Sequence, residues 1–284
     1  LRGVVNSNSP DYQPISDTNV PVLLLDNVSK DFGRVKAVQG AHISVNRGEI
    51  LTLLGPSGCG KTTILRMAIG LERVTKGQIF YQGELIDSAD QKKFTPPYRR
   101  NMGMVFQSHA IWPHMSVFEN VAYPLRVRGV RGDSLRRQVL HTLAMVGLEE
   151  ISSRQSTLLS GGQQQRIAVA RSLVFSPDIL LLDEPFSNLD TKLREQLRDE
   201  LRSLQRRLGI SVLFVTHDQN EALWLSDNVA VMNQGRIEQT GAPSDLYHRP
   251  NTQFVRDFLG RTVLIAANVI DHSPSGTIVA AVKA

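Results

Sequence analysis

Apolar positions along the chain follow two periods. Short aliphatic and β-branched runs at residues 22–25, 42–45, 50–54, 78–81, 104–106, 179–182, 212–215 and 229–232 predict strands. Between them lie stretches with helical spacing. A helix over Lys61–Ile69 follows a glycine-rich turn, and another places Leu135, Val139, Leu143 and Val146 on one face, with Asp133 expected as its N-cap. A third carries Leu193, Leu197, Leu201, Leu204 and Leu208 against a charged opposite face and is closed by Gly209. That leucine stripe ends after about three heptads, so it predicts core packing rather than a coiled coil.

Two of the strand runs, at residues 50–54 and 179–182, are almost wholly apolar, as strands covered on both faces are. Alternation of such strands with helices predicts an α/β chain with a largely parallel, buried sheet. The segment from about residue 107 to 166 holds helical patterns and no strand run, which reads as a helical insertion. Beyond Gly260 the runs 263–270 and 277–282 flank residues 271–276 and predict a β-hairpin. Residues 1–20, rich in Asn, Ser, Asp and Pro, read as a flexible tail.

Composition adds bounds to this picture. The 284 residues suffice for one large domain or slightly more, and 41% hydrophobic with 21% charged residues is ordinary for a globular chain. The net charge of +5 is spread along the sequence without a block of about five like charges, which gives no nucleic-acid footprint. The single cysteine, Cys59, excludes an intramolecular disulfide. No run of about eighteen apolar residues could form a membrane-spanning helix.

Three motifs carry chemistry. Gly55-Pro56-Ser57-Gly58-Cys59-Gly60-Lys61-Thr62, followed by Thr63, has the P-loop spacing between a strand and a helix. Its glycines let backbone N–H groups turn toward phosphates, with Lys61 in reach of the β- and γ-phosphates and the Thr62 hydroxyl suited to Mg²⁺. The run over residues 179–185 ends in Asp183-Glu184-Pro185. Asp183 would hold Mg²⁺, and Glu184 is placed to polarise an attacking water. Leu159-Ser160-Gly161-Gly162-Gln163 then opens a second glycine-rich helix N-terminus, a second phosphate cradle in a chain that already has one.

Residues 159–163 resemble the signature motif of ABC ATPases, and the resemblance extends over about residues 22–260. It implies an α/β fold of ABC ATPase type: a P-loop NTPase (RecA-like) core, an antiparallel β subdomain and a helical insertion over about 107–166. It also implies ATP as substrate, Mg²⁺ as cofactor, and two cassettes pairing head to tail so that Ser160 and Gly162 of one face the ATP of the other. Gln107 matches the glutamine that senses Mg²⁺ and the attacking water, His217 the switch histidine at the γ-phosphate, and Asp190 the loop that crosses the dimer interface. Phe32 matches the aromatic that stacks on adenine.

Within the family the chain is similar to stand-alone ATPases of binding-protein-dependent importers, those for iron(III), polyamines, phosphonates, sugars or sulfate, and iron(III) is the first expectation for its cargo. The expected partners are a second ATPase subunit, identical or related, a membrane permease docking near residues 107–115, and indirectly a periplasmic or extracellular binding protein. The expected location is the cytoplasmic face of the plasma membrane, peripheral. An exporter subunit, or a soluble ABC ATPase acting on DNA or the ribosome, is the competing reading; the second lacks a coiled-coil insertion, a second cassette or zinc-binding cysteines in this sequence. Relatives of the importer group carry a β-rich regulatory domain of roughly a hundred residues; with about 24 residues past Gly260, a complete one is expected to be absent, truncated or replaced, and 261–284 is expected to be a short β-rich segment.

Overall fold

The computed structural model describes residues 20–108, 110–260, 267–272 and 278–282, so the tail expected at the N-terminus lies almost wholly outside the described residues. In chain order the elements are β1 (Leu23–Phe32), β2 (Val35–Val45), β3 (Ile50–Leu54), α1 (Lys61–Ile69), β4 (Lys76–Tyr81), β5 (Glu84–Ser88), β6 (Lys93–Phe94) and β7 (Met102–Val105). Three helices follow, α2 (Val117–Val127), α3 (Gly132–Met145) and α4 (Gly161–Leu173). Then come β8 (Ile179–Asp183), α5 (Thr191–Leu208), β9 (Ser211–Thr216), α6 (Gln219–Leu225), β10 (Asn228–Asn233), β11 (Arg236–Gly241), α7 (Pro243–His248), α8 (Gln253–Leu259), β12 (Ala267–His272) and β13 (Ile278–Val282).

The strands form a five-stranded sheet in the order β2-β1-β4-β5-β6 and a six-stranded sheet in the order β11-β10-β3-β9-β8-β7. Pairing in the first is antiparallel, while the second is parallel except at the β10–β11 edge. Every residue of β3, β8 and β9 is buried, which is why their sequences show apolar runs and not alternation. Successive residues of β8 still face opposite ways. Leu181 joins Leu53, Val215, Ile64 and Met67 under the antiparallel sheet and α1. Leu180 and Leu182 join Phe186, Phe214 and the α5 leucines 197, 201 and 204 on the other face. The leucine stripe thus packs on the sheet, and only its end, Leu208, is exposed.

Helices α2, α3 and α4 enclose a core of their own, with Val121, Leu125, Val139, Leu143 and Ile167 at its centre, as a helical insertion should. A capping box of Ser116 and Glu119 starts α2. Asp133 does not cap α3. Arg131 occupies that position without a side-chain bond, and Asp133 sits in the first turn, where the helix dipole favours an acid. Strands β5 and β11 escape a reading by apolar runs because they are rich in polar residues and are held by their neighbours β4 and β10. Residues 271 and 272, expected in the turn of the C-terminal hairpin, belong to β12, which pairs with β13. Among the described residues no helix is long and apolar enough to cross a membrane.

Candidate nucleotide site

The loop between β3 and α1 is shaped by its glycines. A Cβ on Gly55 would sit 2.1 Å from Met232 O, and Gly60, at φ +110°, would place one 2.3 Å from Ala37 O. Gly60 stands at the N-cap of α1, and no side chain caps the helix, which leaves its first N–H groups for a ligand. Lys61 is 4% exposed, and its Nζ donates to Gly55 O at 2.8 Å and Pro56 O at 2.9 Å, folding the loop around its own ammonium. Burial pushes the Cys59 thiol up, only partly offset by Lys61, so Cys59 fills space in the loop as a neutral thiol.

Parallel pairing of β3, β9 and β8 brings the ends of these strands together. Thr62, in the first turn of α1, donates from Oγ1 to Asp183 Oδ1 at 2.9 Å. Burial raises the Asp183 carboxyl above the usual range; the Thr62 hydrogen bond works against the rise and the charge of Glu184 adds to it. Glu184 has φ +45°, a conformation that non-glycine residues seldom hold without support, and its N–H is tied to Val215 O at 3.0 Å. Its Oε2 lies 3.0 Å from His217 Nδ1 and 3.5 Å from Gln107 Nε2. Gln107 also donates to Ser187 Oγ at 3.3 Å, and its carbonyl accepts from Asn188 Nδ2 at 3.4 Å.

Among the described residues no cluster of three or more His, Cys, Asp or Glu side chains gathers to hold a metal. The adjacent Thr62 hydroxyl and buried Asp183 carboxylate nevertheless suit Mg²⁺, which takes one or two protein oxygens beside substrate phosphates and water. Gln107, expected as a further ligand, is engaged with Glu184 and Ser187.

A cavity of about 400 Å³ opens over this arrangement, lined by residues 57–58 and 60–63, by Glu184, and by Val35 and Lys36 of β2. Phe32, expected against adenine, does not line it; it is 45% exposed beside the cavity-lining Val35, its register partner, with Lys30 Nζ 4.8 Å from its ring centroid.

The signature residues stand elsewhere. None of Leu159, Ser160, Gly161, Gly162 and Gln163 lines the P-loop cavity. Ser160 N-caps α4: its hydroxyl accepts from Gln163 N–H at 3.4 Å, and its own N–H donates to Gln163 Oε1 at 3.1 Å. Ser160 and Gly161 are exposed and Gly162 is buried. Asp190 caps α5 by accepting from Leu193 N–H at 3.0 Å.

Motif reading passed over Arg194. Its Nη1 donates to Asp218 Oδ2 and its Nη2 to Leu189 O, both at 3.1 Å, and its Nε lies 3.7 Å from Glu221 Oε1. Glu221 is buried and accepts from Thr216 Oγ1 at 2.6 Å. One guanidinium therefore links the segment before Asp190 to the segment carrying His217. The signal was faint: an Arg four residues past Asp190 and an acid directly after His217.

Comparison with known proteins agrees with this geometry. Residues 38–187 match the family model described as ABC transporter. The chain is 44% identical over 265 residues to the spermidine/putrescine import ATP-binding protein PotA of Haemophilus influenzae, covering 93% of this chain and 70% of that one. A protein of the same description from Desulfitobacterium hafniense is 45% identical over 244 residues, covering 86% and 68%. Among solved structures, cbiO1 from Clostridium perfringens, part of the ABC transporter complex cbiONQ, superposes with a TM-score of 0.72 at 28% identity, covering 80% of this chain and 90% of that one. A dimeric ATP-binding cassette in a post-hydrolysis state with ADP and phosphate gives a TM-score of 0.66 at 30% identity, covering 78% and 98%. The chain belongs to the ABC transporter family. Within it, the chain is an ATP-binding subunit with the ABC ATPase fold and activity.

Proposed function

We propose that this chain powers a solute importer, hydrolysing ATP in a head-to-tail dimer docked on a membrane permease at the cytoplasmic face. The observation that carries the catalytic part is the placing of Glu184 Oε2 between His217 Nδ1 and Gln107 Nε2, at the wall of the cavity that holds Lys61. Glu184 accepts a proton from the attacking water as that water forms its bond to the γ-phosphorus. The β–γ bridging oxygen leaves with ADP. Lys61 and the free N–H groups of α1 hold the phosphate oxygens, and His217 orients Glu184 and the γ-phosphate. Thr62 and Asp183 would hold Mg²⁺, which would supply positive charge to neutralise the triphosphate. Ser160 and Gly162 of one subunit close on the nucleotide of the other, which accounts for a second cradle lying outside the chain's own cavity.

The test separates binding from chemistry. Glu184→Gln should bind ATP with near wild-type affinity and turn over about 10²–10⁴-fold more slowly. Lys61→Ala should lose affinity itself. Nucleotide titration and phosphate release measure the two, and near-normal turnover in Glu184→Gln would remove it as the base.

For the cargo, the relatives named for spermidine and putrescine favour a polyamine over the iron(III) expected at first. Uptake of labelled spermidine and of iron(III) by cells with and without this subunit decides between them; spermidine uptake independent of the subunit would end the polyamine reading.

A further inference from the structure

His217 is held by its neighbours in the chain. At the end of β9, Thr216 Oγ1 donates to Glu221 Oε2 at 2.6 Å and accepts from Asp218 N–H at 3.0 Å. Asp218 Oδ1 then accepts from the N–H groups of Asn220 and Glu221, at 2.8 and 3.2 Å, and caps α6. Both residues flanking His217 are thereby fixed. The imidazole between them is 51% exposed, and its Nδ1 meets Glu184 Oε2 at 3.0 Å. With a ring this open, the backbone on either side sets where it points.

Arg194 ties that backbone to a second loop. Its Nη1 takes the other oxygen of Asp218, Oδ2, and its Nε lies 3.7 Å from Glu221 Oε1. Its Nη2 donates to Leu189 O at 3.1 Å, the carbonyl directly before Asp190. These contacts come from one rigid, planar fork, so a shift at Leu189 is passed to Asp218 and not absorbed between them. The Arg194 and Asp218 side chains are both partly solvated, and such a pair adds little to the stability of a fold. Arg194 also does not line the nucleotide cavity. Its placement suits neither a stability staple nor a phosphate ligand.

We infer that Arg194 is a positioning residue for hydrolysis: it holds Asp218 to the carbonyl of Leu189 and so keeps His217 on Glu184 only while the loop before Asp190 is in place. This rests on the reading in which Glu184 is the base and His217 orients it. It adds the link by which the Asp190 loop, closing against a second subunit, sets the geometry of the base in its own chain.

The experiment is a double-mutant cycle on the full chain with Arg194→Gln, His217→Ala and the two combined. Nucleotide titration gives ATP affinity and phosphate release gives turnover. Arg194→Gln should bind ATP within about twofold of wild type and turn over about tenfold or more slowly, the mark of a misplaced group and not of lost binding. The double variant should be no slower than His217→Ala alone, because Arg194 acts through His217. Arg194→Lys, which keeps a charge on Asp218 without the fork, should regain part of the turnover. Asp218→Asn, whose amide oxygen still caps α6, should match Arg194→Gln.

Losses that multiply in the double variant would make Arg194 a scaffold residue and overturn the inference. Normal turnover in Arg194→Gln, or a loss of ATP affinity that accounts for its whole defect, would do the same. If His217→Ala itself turns over normally, the reading of His217 falls and this inference falls with it. If His217→Ala is slow and the losses multiply, this inference falls alone. Should Arg194→Gln not fold, Asp218→Asn takes its place in the cycle.

Discussion

Two helix N-termini in this chain are built from glycine-rich loops, and they differ in what fills them. The loop before α1 has no side-chain cap; its glycines sit against Met232 O and Ala37 O, and its lysine is buried in carbonyls of the loop itself. The loop before α4 is satisfied by its own capping box and leaves Ser160 exposed. The first is a cavity organised by the monomer. The second is a finished helix end presented outward, and only another molecule can give it a phosphate to meet. On the reading proposed above, the same residue types produce one site within the chain and half of a site between chains.

Alanine substitution breaks the two loops unequally. Gly60→Ala forces a Cβ onto Ala37 O at a positive φ, and ATP affinity should fall roughly 10–100-fold in equilibrium titration. A variant that binds ATP normally would show that the loop is not organised in the monomer. Ser160→Arg should leave ATP affinity intact and cut turnover about 10²–10³-fold, because its loss is felt only across the interface. Mixing it with Lys61→Ala creates dimers with one intact site, and phosphate release should partly return. If heterodimers form and release stays at the level of either parent, the cradles are not shared with one site able to act alone.

Gly162→Ala is the milder counterpart of Gly60→Ala. The added Cβ lies 3.1 Å from the terminal carbons of Leu193, a side chain that can shift, and alanine favours a helix. Monomer stability should change by no more than about 1 kcal/mol in thermal unfolding. Strong destabilisation would mean that the signature loop is as constrained as the P-loop.

The smallest effect lies in the scaffold common to both loops. Asp227 bonds Ile50 N–H at 2.8 Å and takes two bonds from Arg202. Burial works to raise its pKa, but these bonds outweigh burial and hold the carboxyl below the usual range. The folded form therefore binds fewer protons than the unfolded one just below the ordinary Asp pKa. The stability that Asp227 contributes is complete above that pKa and is lost as pH falls through the folded value. Asp227→Asn should lower the melting temperature slightly at neutral pH, and the two proteins should converge in acid. A constant difference across pH would assign the effect to packing.

Legibility followed burial. Strands β3, β8 and β9 could be read because both faces are covered and the apolar run is continuous. Strands β5 and β11 could not, because their side chains are largely polar and they are held as the second strands of tight hairpins with β4 and β10. Trp112 lies in the segment 107–115 expected to dock a permease. The structure leaves it half-buried, its ring tilted at 49° to that of Tyr123 with centroids 4.6 Å apart and Arg171 4.7 Å from its ring centroid, while His114 is exposed.

The sequence by itself determined the loop chemistry: where glycine must replace a side chain, where a lysine and a threonine follow, where two acids end an apolar run, and where Ser160 and Gln163 cap a helix. These features are set by neighbours within a few residues, and short-range sterics and hydrogen bonding suffice to specify them. Only the tertiary structure decided that Thr62 meets Asp183, that Glu184 lies between His217 and Gln107, and that Arg194 joins two loops. Each depends on strands distant in sequence lying side by side in the parallel sheet or on the insertion packing over it, and that juxtaposition has no local signature.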